Sequence, residues 1–470
     1  MEPSPPDDGQ PGAPPHAGVL ERRTVAGYAL GSVATGTFGT VPGLVLLFFL
    51  TDTLAVPAAV AGVAVFVPKF FDVLWNPVVG AWSDRTASRW GARRPWMLAG
   101  GVTLPLLFVL VFTVPDLGPT ASAVWVCLAF LLAGAAYGLF QVPYISLPAE
   151  LTSLPEQRTR LQTARIVVLT LGILLGGALA PELVTAFGAG VRGYVGMAVV
   201  IAVVLAAGMI GCVALVPTTP TASRGDPGQG ALHAAASLVR ALRLGLASPA
   251  FRPLYLGYLA QSLAVAVALA TIPYYARYVL DRQGFTSVLF AAFVGPAIVV
   301  VPLWRRLARR RGQRFGLLAA SWLFAASVLL AGTGWGGAPL AVLAFLGCGI
   351  AYAALQLFCY AMLSDALAAE DARTGRRRAG LLSGLWTASE TGMFAVGPFL
   401  VGLVLAVFGF VSSSGAAVAQ PTSALVGVAL AMGVLPAALV AASTVAFRRY
   451  DEAAVAALAV QHADPLEKTP

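Results

Sequence analysis

The sequence predicts an all-α polytopic membrane protein of about twelve transmembrane helices, arranged as two six-helix pseudo-repeats. Composition, the length of the apolar blocks and an internal echo each point there. Of 470 residues, 58% are hydrophobic and 11% charged, whereas soluble domains carry about 25% charged residues. Such a chain lacks the polar surface to coat itself in water. About 20 apolar residues carry a helix across the bilayer, and the apolar residues here fall in blocks of that length. A β-barrel would alternate apolar and polar residues over strands of about 10 positions; these blocks are continuous.

Taken in order, the chain opens with residues 1–22, rich in Pro and Asp and without an apolar core. They read as a disordered cytoplasmic tail, not a signal peptide. Six spans follow, at 27–50, 56–83, 95–114, 121–148, 164–187 and 193–216, forming an N-terminal bundle over 23–216. Residues 217–250 form a cytoplasmic linker of Pro, Thr, Ser and Gly, ending in a short amphipathic stretch around 235–246. Spans at 251–279, 285–303, 315–333, 338–364, 380–410 and 422–447 make a C-terminal bundle over 251–447, and 448–470 is a second cytoplasmic tail. Many spans contain Gly and Pro, which membrane helices tolerate because neighbouring helices re-satisfy the freed backbone groups.

The net charge of +9 suggests a nucleic-acid partner, but its distribution excludes one. With the N-terminus inside, every Lys and Arg except Lys69, Arg192, Arg277 and Arg282 falls on a cytoplasmic segment. That is the positive-inside pattern, and it places both termini in the cytoplasm of a cell-membrane protein. The basic balance thus reports topology and attraction to lipid heads. Four scattered cysteines read as small buried hydrophobes, and the three histidines lie in tails or a loop. There is no Gly-x-x-x-x-Gly-Lys-Ser/Thr run, and the only lysines are Lys69 and Lys468, so ATP is not the energy source. No catalytic residue, cofactor or metal site is expected.

The halves echo each other at an offset of roughly 220 residues. Trp82-Ser-Asp-Arg85 through Gly91-Ala-Arg93-Arg94 corresponds to Trp304-Arg-Arg-Leu through Gly312-Gln-Arg314, and Tyr144 to Glu150 corresponds to Tyr360 to Asp365. Two copies of a six-helix unit in the same orientation imply a parallel repeat about an axis along the membrane normal, with a site between the halves that opens to either side in turn.

These residues carry a family resemblance. Gly80-x-x-x-Asp84-Arg85 with Gly91-x-Arg93-Arg94 resembles the loop signature of the major facilitator superfamily. The wider run Asp72-Val-Leu-Trp-Asn76-Pro77 to Arg85, with Arg89 to Trp96, is similar to the glycoside–pentoside–hexuronide:cation symporters, the melibiose permease group. Pro143-Tyr144 through Glu150 to Arg158 and Arg165, and Asp365 through Thr374 to Arg378, agree with it. The resemblance covers both halves. It implies the major facilitator fold and cation-coupled symport of a sugar-like or other small polar solute. Departures accompany it. Where that family often carries two carboxylates on the second helix, this chain keeps Asp72 and has Asn76 in the other place, with Trp75 at the Asn position. Gly36 and Gln141 match the positions of the sugar-gripping aspartates, Gly138 stands where the fourth helix would supply a hydroxyl, and Glu390 or Thr391 replaces the usual lysine of the eleventh helix. Those losses, with the abundance of Trp and Phe, leave open an exporter or carrier of an amphipathic solute such as a lysolipid, drug or natural product.

Three groups of residues follow as candidates. Asp72 lies inside the second span, where a charge is costly and usually has a task. Lys69 and Asn76 share its helical face, so Lys69 and Asp72 are either a structural ion pair or part of a coupling site. Asp72, Asn76 and Glu390 are the coupling-ion candidates. A proton needs only one carboxylate, whereas sodium needs a cage of oxygens, so a proton is favoured. Lys69, Tyr137, Gln141, Tyr144, Tyr274, Gln356 and Trp386 are candidates for lining the substrate cavity. Gly80, Asp84, Arg85, Arg93, Arg94, Asp365 and Arg377 lie at the cytoplasmic helix ends and are expected to form a gate. The expected partners are a small solute, a coupling cation and the lipid bilayer, with no nucleic acid, and the chain is expected to be a monomer.

Overall fold

The computed structural model describes residues 20–86, 88–116, 118–152, 154–217, 231–375, 378–415 and 418–463. The expected gate residue Arg377, the side chain of Asp84, residues 1–19, the linker residues 218–230 and the terminal 464–470 lie outside the described set. Within it, twelve helices are long and apolar enough to cross a membrane. The first six are α1 (Arg22–Asp52), α2 (Ala58–Arg85), α3 (Arg94–Phe112), α4 (Pro119–Leu151), α5 (Glu156–Ala186) and α6 (Gly190–Leu215). The second six are α7 (Phe251–Val279), α8 (Thr286–Arg311), α9 (Gln313–Gly332), α10 (Gly337–Thr374), α11 (Ala379–Val407) and α12 (Thr422–Arg448).

Each helix overlays one expected span, and the ends differ where polar helix continues past the apolar block. The 38-residue α10 is the extreme case. At about 1.5 Å per residue it is far longer than the roughly 30 Å hydrocarbon layer. Its last turns therefore project beyond the membrane, carrying Asp365, Glu370, Asp371 and Arg373, until Gly375 stops the helix in the left-handed region at φ 62°. Inside the spans the ladder is interrupted by internal prolines, such as Pro68 and Pro77 in α2. Wider π turns occur at Leu175–Leu179 in α5, Tyr275–Val279 in α7 and Leu430–Val434 in α12.

The packing repeats with a period of six helices. In the first half α3 packs on α4, α1 on α5 and α6, α2 on α4, and α3 on α6. In the second half α9 packs on α10, α7 on α11 and α12, α8 on α10, and α9 on α12. The seams obey the same operation: α2 meets α11 and α5 meets α8, and each seam becomes the other when the halves are exchanged. Glycines set the closeness of both. A Cβ on Gly402 of α11 would lie 2.5 Å from the Ala58 carbonyl of α2, and one on Gly177 of α5 would overlap the Phe290 ring of α8. The matched loop glycines also behave alike. Gly91 and Gly312 take φ values of 84° and 88° just before α3 and α9, a conformation that costs glycine nothing.

Two further helices flank the arginine-rich end. Ala231–Ala247, in the linker, packs against α2, α7 and α11. Glu452–Ala463, within what reads from sequence as a plain tail, packs on α10.

Candidate functional site

In the first half, glycine lets α4 press on the polar turn of α2. A Cβ on Gly134 would lie 2.5 Å from Asp72 Oδ1, and one on Gly138 would lie 2.9 Å from Asn76 Oδ1 and Trp75 Cδ1. Asp72 and Asn76 are one turn apart, as are the two glycines, so each polar group faces one glycine. Asp72 is 6% exposed and its Oδ1 has no hydrogen-bond partner. Lys69 is not its ion pair. The ammonium lies 5.6 Å from the ring centroids of both Phe38 and Phe130, a cation–π seat, and makes no salt bridge within 4.0 Å to the carboxylate. Tyr137 stacks on Phe38 at 4.7 Å and completes this aromatic wall. The Trp75 indole donates to the Ala135 carbonyl at 3.0 Å and fixes the ring against α4. One turn beyond Tyr137, the buried Gln141 Oε1 is also without a partner.

The second half holds a different arrangement. Glu390 of α11 accepts hydrogen bonds from Tyr258 of α7 and, at 2.9 Å, from Tyr360 of α10. Tyr258 stacks on Trp386 with centroids 4.0 Å apart. Gln261 donates to Ser321 Oγ at 2.8 Å, and Gln356 donates to the Tyr352 hydroxyl at 3.0 Å. A narrow cleft of about 10 Å³ is lined by Tyr258, Gln261, Tyr352, Gln356, Glu390 and Phe394.

The two ends of the bundle differ. At the end opposite the arginine loops, the halves are joined. Arg277 and Tyr278 of α7 both donate to the Asp52 carboxylate at the end of α1. The Tyr274 and Thr51 hydroxyls are 2.7 Å apart. Ser413 N donates to the Thr51 carbonyl and Gly415 N to that of Asp52, both at 2.9 Å. At the arginine-rich end, the ion pairs of Arg93 with Glu150 and of Glu370 with Arg373 and Arg378 lie within a half. Arg93 pairs with Glu150 at 2.8 Å and donates to Ser83 Oγ at 2.7 Å. Glu370, 1% exposed, pairs with Arg373 and Arg378 and accepts from Ser248 Oγ at 2.7 Å. Glu452 accepts from the backbone amides of Gln313 and Arg314 at 2.8 and 3.0 Å, capping α9.

The sequence candidates therefore separate. Lys69, Asp72, Asn76 and Tyr137 come together on α2 and α4, and Glu390, Gln356 and Trp386 come together in the second half. Three placements correct the cavity-lining expectation. Tyr144 is fully buried between α1 and α4, stacked on Tyr28 at 4.7 Å and donating to the Tyr28 carbonyl. Tyr274 belongs to the closed end, and Trp386 is fully buried behind Tyr258. Tyr144 and Tyr274 read alike from sequence because an aromatic in a span gives no direction. At the arginine-rich end Arg93 meets Glu150, while Gly80, Arg85 and Arg94 lie on the same helix ends. Asp365 is half-buried, and the paired acid of α10 is Glu370. Sequence reasoning missed Asp52, Tyr258, Tyr278 and Glu370. Their partners are brought close only by the fold, and a carboxylate at the tip of a span looks like an ordinary helix end. Among the described residues, no group of three or more His, Cys, Asp or Glu could hold a metal ion.

Comparison with known proteins agrees with this architecture. A model of the family described as MFS/sugar transport protein matches residues 27–451. The inner membrane symporter YicJ of Escherichia coli (strain K12) is 32% identical over 170 residues, 36% of this chain and 37% of that protein. The glucuronide carrier protein homolog of the same organism is 26% identical over 429 residues, 89% of this chain and 90% of that protein. The crystal structure of the nucleoside transporter NupG matches with a TM-score of 0.64 at 13% identity, covering 91% of this chain and 98% of that one. That last likeness is one of fold.

Proposed function

The chain belongs to the MFS/sugar transport protein family and is a multi-pass secondary transporter, not an enzyme; on that premise we propose that it couples a cation to the movement of a sugar-like or other small polar solute. The observation that carries this is Asp72, a buried carboxylate with an unpartnered oxygen whose nearest cation, Lys69, is held on aromatic rings. A charge kept at such a depth costs several kcal/mol and is retained where an ion pathway needs it. The proton is the favoured ion. Sodium requires several oxygen ligands with net negative charge, and this turn offers one carboxylate and the Asn76 amide, against glycine and an indole whose N–H is already used. Each proton driven by 100 mV supplies about 2.3 kcal/mol.

The difference between the two ends supports alternating access. The contacts of Asp52 with Arg277 and Tyr278 hold one end shut, while Arg93–Glu150 and Glu370–Arg378 stay inside their halves at the other. In the opposite state the arginine-rich ends come together, with Asp84, Arg85, Arg94, Asp365 and Arg377 in the gate. The arginine-rich end is assigned to the cytoplasm of the cell membrane, with both termini on that side and the chain acting as a monomer.

The test is uptake into vesicles under an imposed pH gradient or an imposed sodium gradient, each with the membrane potential clamped. Accumulation driven by pH supports the assignment. Accumulation driven by sodium alone refutes it. A second reading, transport of an amphipathic solute, is favoured by one feature. An apolar groove of about 270 Å³ lined by Phe70, Val73, Leu242, Leu259, Gly392 and Met393 opens beside the α2–α11 seam under the linker helix. Lysolipid uptake that survives Asp72→Asn would favour that reading.

A further inference from the structure

We propose that the cleft beside Glu390 receives a primary ammonium group, so that the solute is a small sugar or polyol carrying a protonated amine; the identity of the solute, though not the site, rests on the transport reading above.

Charge is the first argument. Glu390 sits in a membrane-spanning helix, where an ionised carboxylate normally pairs or faces a cavity with a task. Its protein partners are the Tyr258 and Tyr360 hydroxyls. Among the described residues no Lys, Arg or His stands within 4.0 Å of it. A carboxylate has about four lone-pair positions, so two phenols leave room for a further donor. The neighbouring amides do not supply it. Gln261 is held by Ser321 and by Cys359, and the Gln356 amide donates to Tyr352.

The walls are the second argument. Tyr258 and Trp386 are stacked, and the Tyr360 ring lies 6.1 and 6.2 Å from them. The rings that line the cleft itself are those of Tyr258, Tyr352 and Phe394; aromatic walls favour a cation over an anion, and the Tyr258 and Tyr360 phenols are already committed to Glu390.

Size is the third. At about 10 Å³ the cleft admits one water-sized group. A protonated primary amine has that size and three donors, and its carbon skeleton remains outside the cleft. A sugar ring or a quaternary ammonium is too large for it.

The experiment is calorimetric titration of the purified full-length chain with glucosamine, N-acetylglucosamine, glucose and glucuronate. A charge-assisted hydrogen bond distinguishes the first from its neutral acetylated analogue, so glucosamine should bind about tenfold tighter. In Glu390→Gln that preference should fall to within about threefold. Equal binding of glucosamine and N-acetylglucosamine overturns the proposal, as does tighter binding of glucuronate, no binding of glucosamine, a preference that survives Glu390→Gln, or displacement of glucosamine by sodium alone. Should Glu390→Gln fail to fold, the selectivity of the unaltered chain decides. Amine preference without uptake into vesicles would remove the transport reading and leave the site. Uptake of glucose with no amine preference would do the reverse.

Discussion

Replacing Arg277 with Ala should release the closed end of the bundle. Arg277 and Tyr278 are the side-chain donors to the Asp52 carboxylate from the opposite half, and the side chains of Asp52 and Arg277 are only 2% and 13% exposed. Removing one partner of a buried pair costs about 3–5 kcal/mol because the other charge is stranded. Partial access of water to the guanidinium puts this case at the lower end, about 3 kcal/mol. In the state open at this end both groups face water, where the pair is worth roughly 0–1 kcal/mol. The difference, about 2 kcal/mol, shifts the ratio of the two states roughly thirtyfold toward opening. Thr53, 8% exposed in the closed form, reports on it. In Thr53→Cys, the rate of reaction with a membrane-impermeant maleimide should rise by about that factor when Arg277→Ala is added. Asp52→Asn should act in the same direction, and the double substitution should fall short of the sum. An unchanged labelling rate, or simple additivity, would refute the idea that this pair holds the halves together.

Other outcomes follow from the same geometry. Asp72→Asn should abolish accumulation driven by a pH gradient while leaving solute exchange across vesicles measurable; retained accumulation would move the coupling site elsewhere. Gly134→Ala places a methyl 2.5 Å from Asp72 Oδ1, and overpacking of this kind costs about 1–3 kcal/mol. Melting temperature and uptake should therefore both fall, whereas Gly380→Ala, with nothing within 4 Å, should change neither. Arg93→Ala breaks the contacts to Glu150 and Ser83 and should slow turnover while solute affinity stays within about threefold. Complete loss of binding in a folded variant would count against a gating role.

Much of the fold was legible because the bilayer imposes one length scale. Apolar blocks mark helices directly, and the recurring Gly91 and Gly312 mark the same left-handed turn in both halves. Candidates for the site could be read where an expensive residue advertises itself, as Asp72 and Glu390 do in mid-span. They could not be read where meaning depends on direction or on a distant partner. Tyr144 faces the interior of one half, Tyr274 the opposite half, and Tyr258 a carboxylate more than a hundred residues away. All three look like tyrosines in apolar helices. Lys69 shows the same limit. Spacing alone placed it with Asp72, and the rings of Phe38 and Phe130, contributed by α1 and α4, hold it instead. Glu370 was hidden by Asp365, because a helix that continues past the membrane carries several acids and only burial singles one out.

The repetition of the packing has a consequence for biosynthesis. Most helix pairs join members of the same half, so nearly every partner of α1–α6 has been synthesised before α7 begins. The first bundle can become compact in the bilayer while the second is still being translated. Contacts between the halves are the exception: α1 must wait for α7, α5 for α8 and α2 for α11, the last of these nine helices later in the chain. Until then the glycine-bearing faces of α2 and α5 border lipid, and a substitution such as Gly177→Ala or Gly402→Ala leaves each bundle whole but keeps the two from joining. The expected product of such a change is a chain that inserts with normal topology and is removed by quality control, a defect of assembly distinct from one of transport.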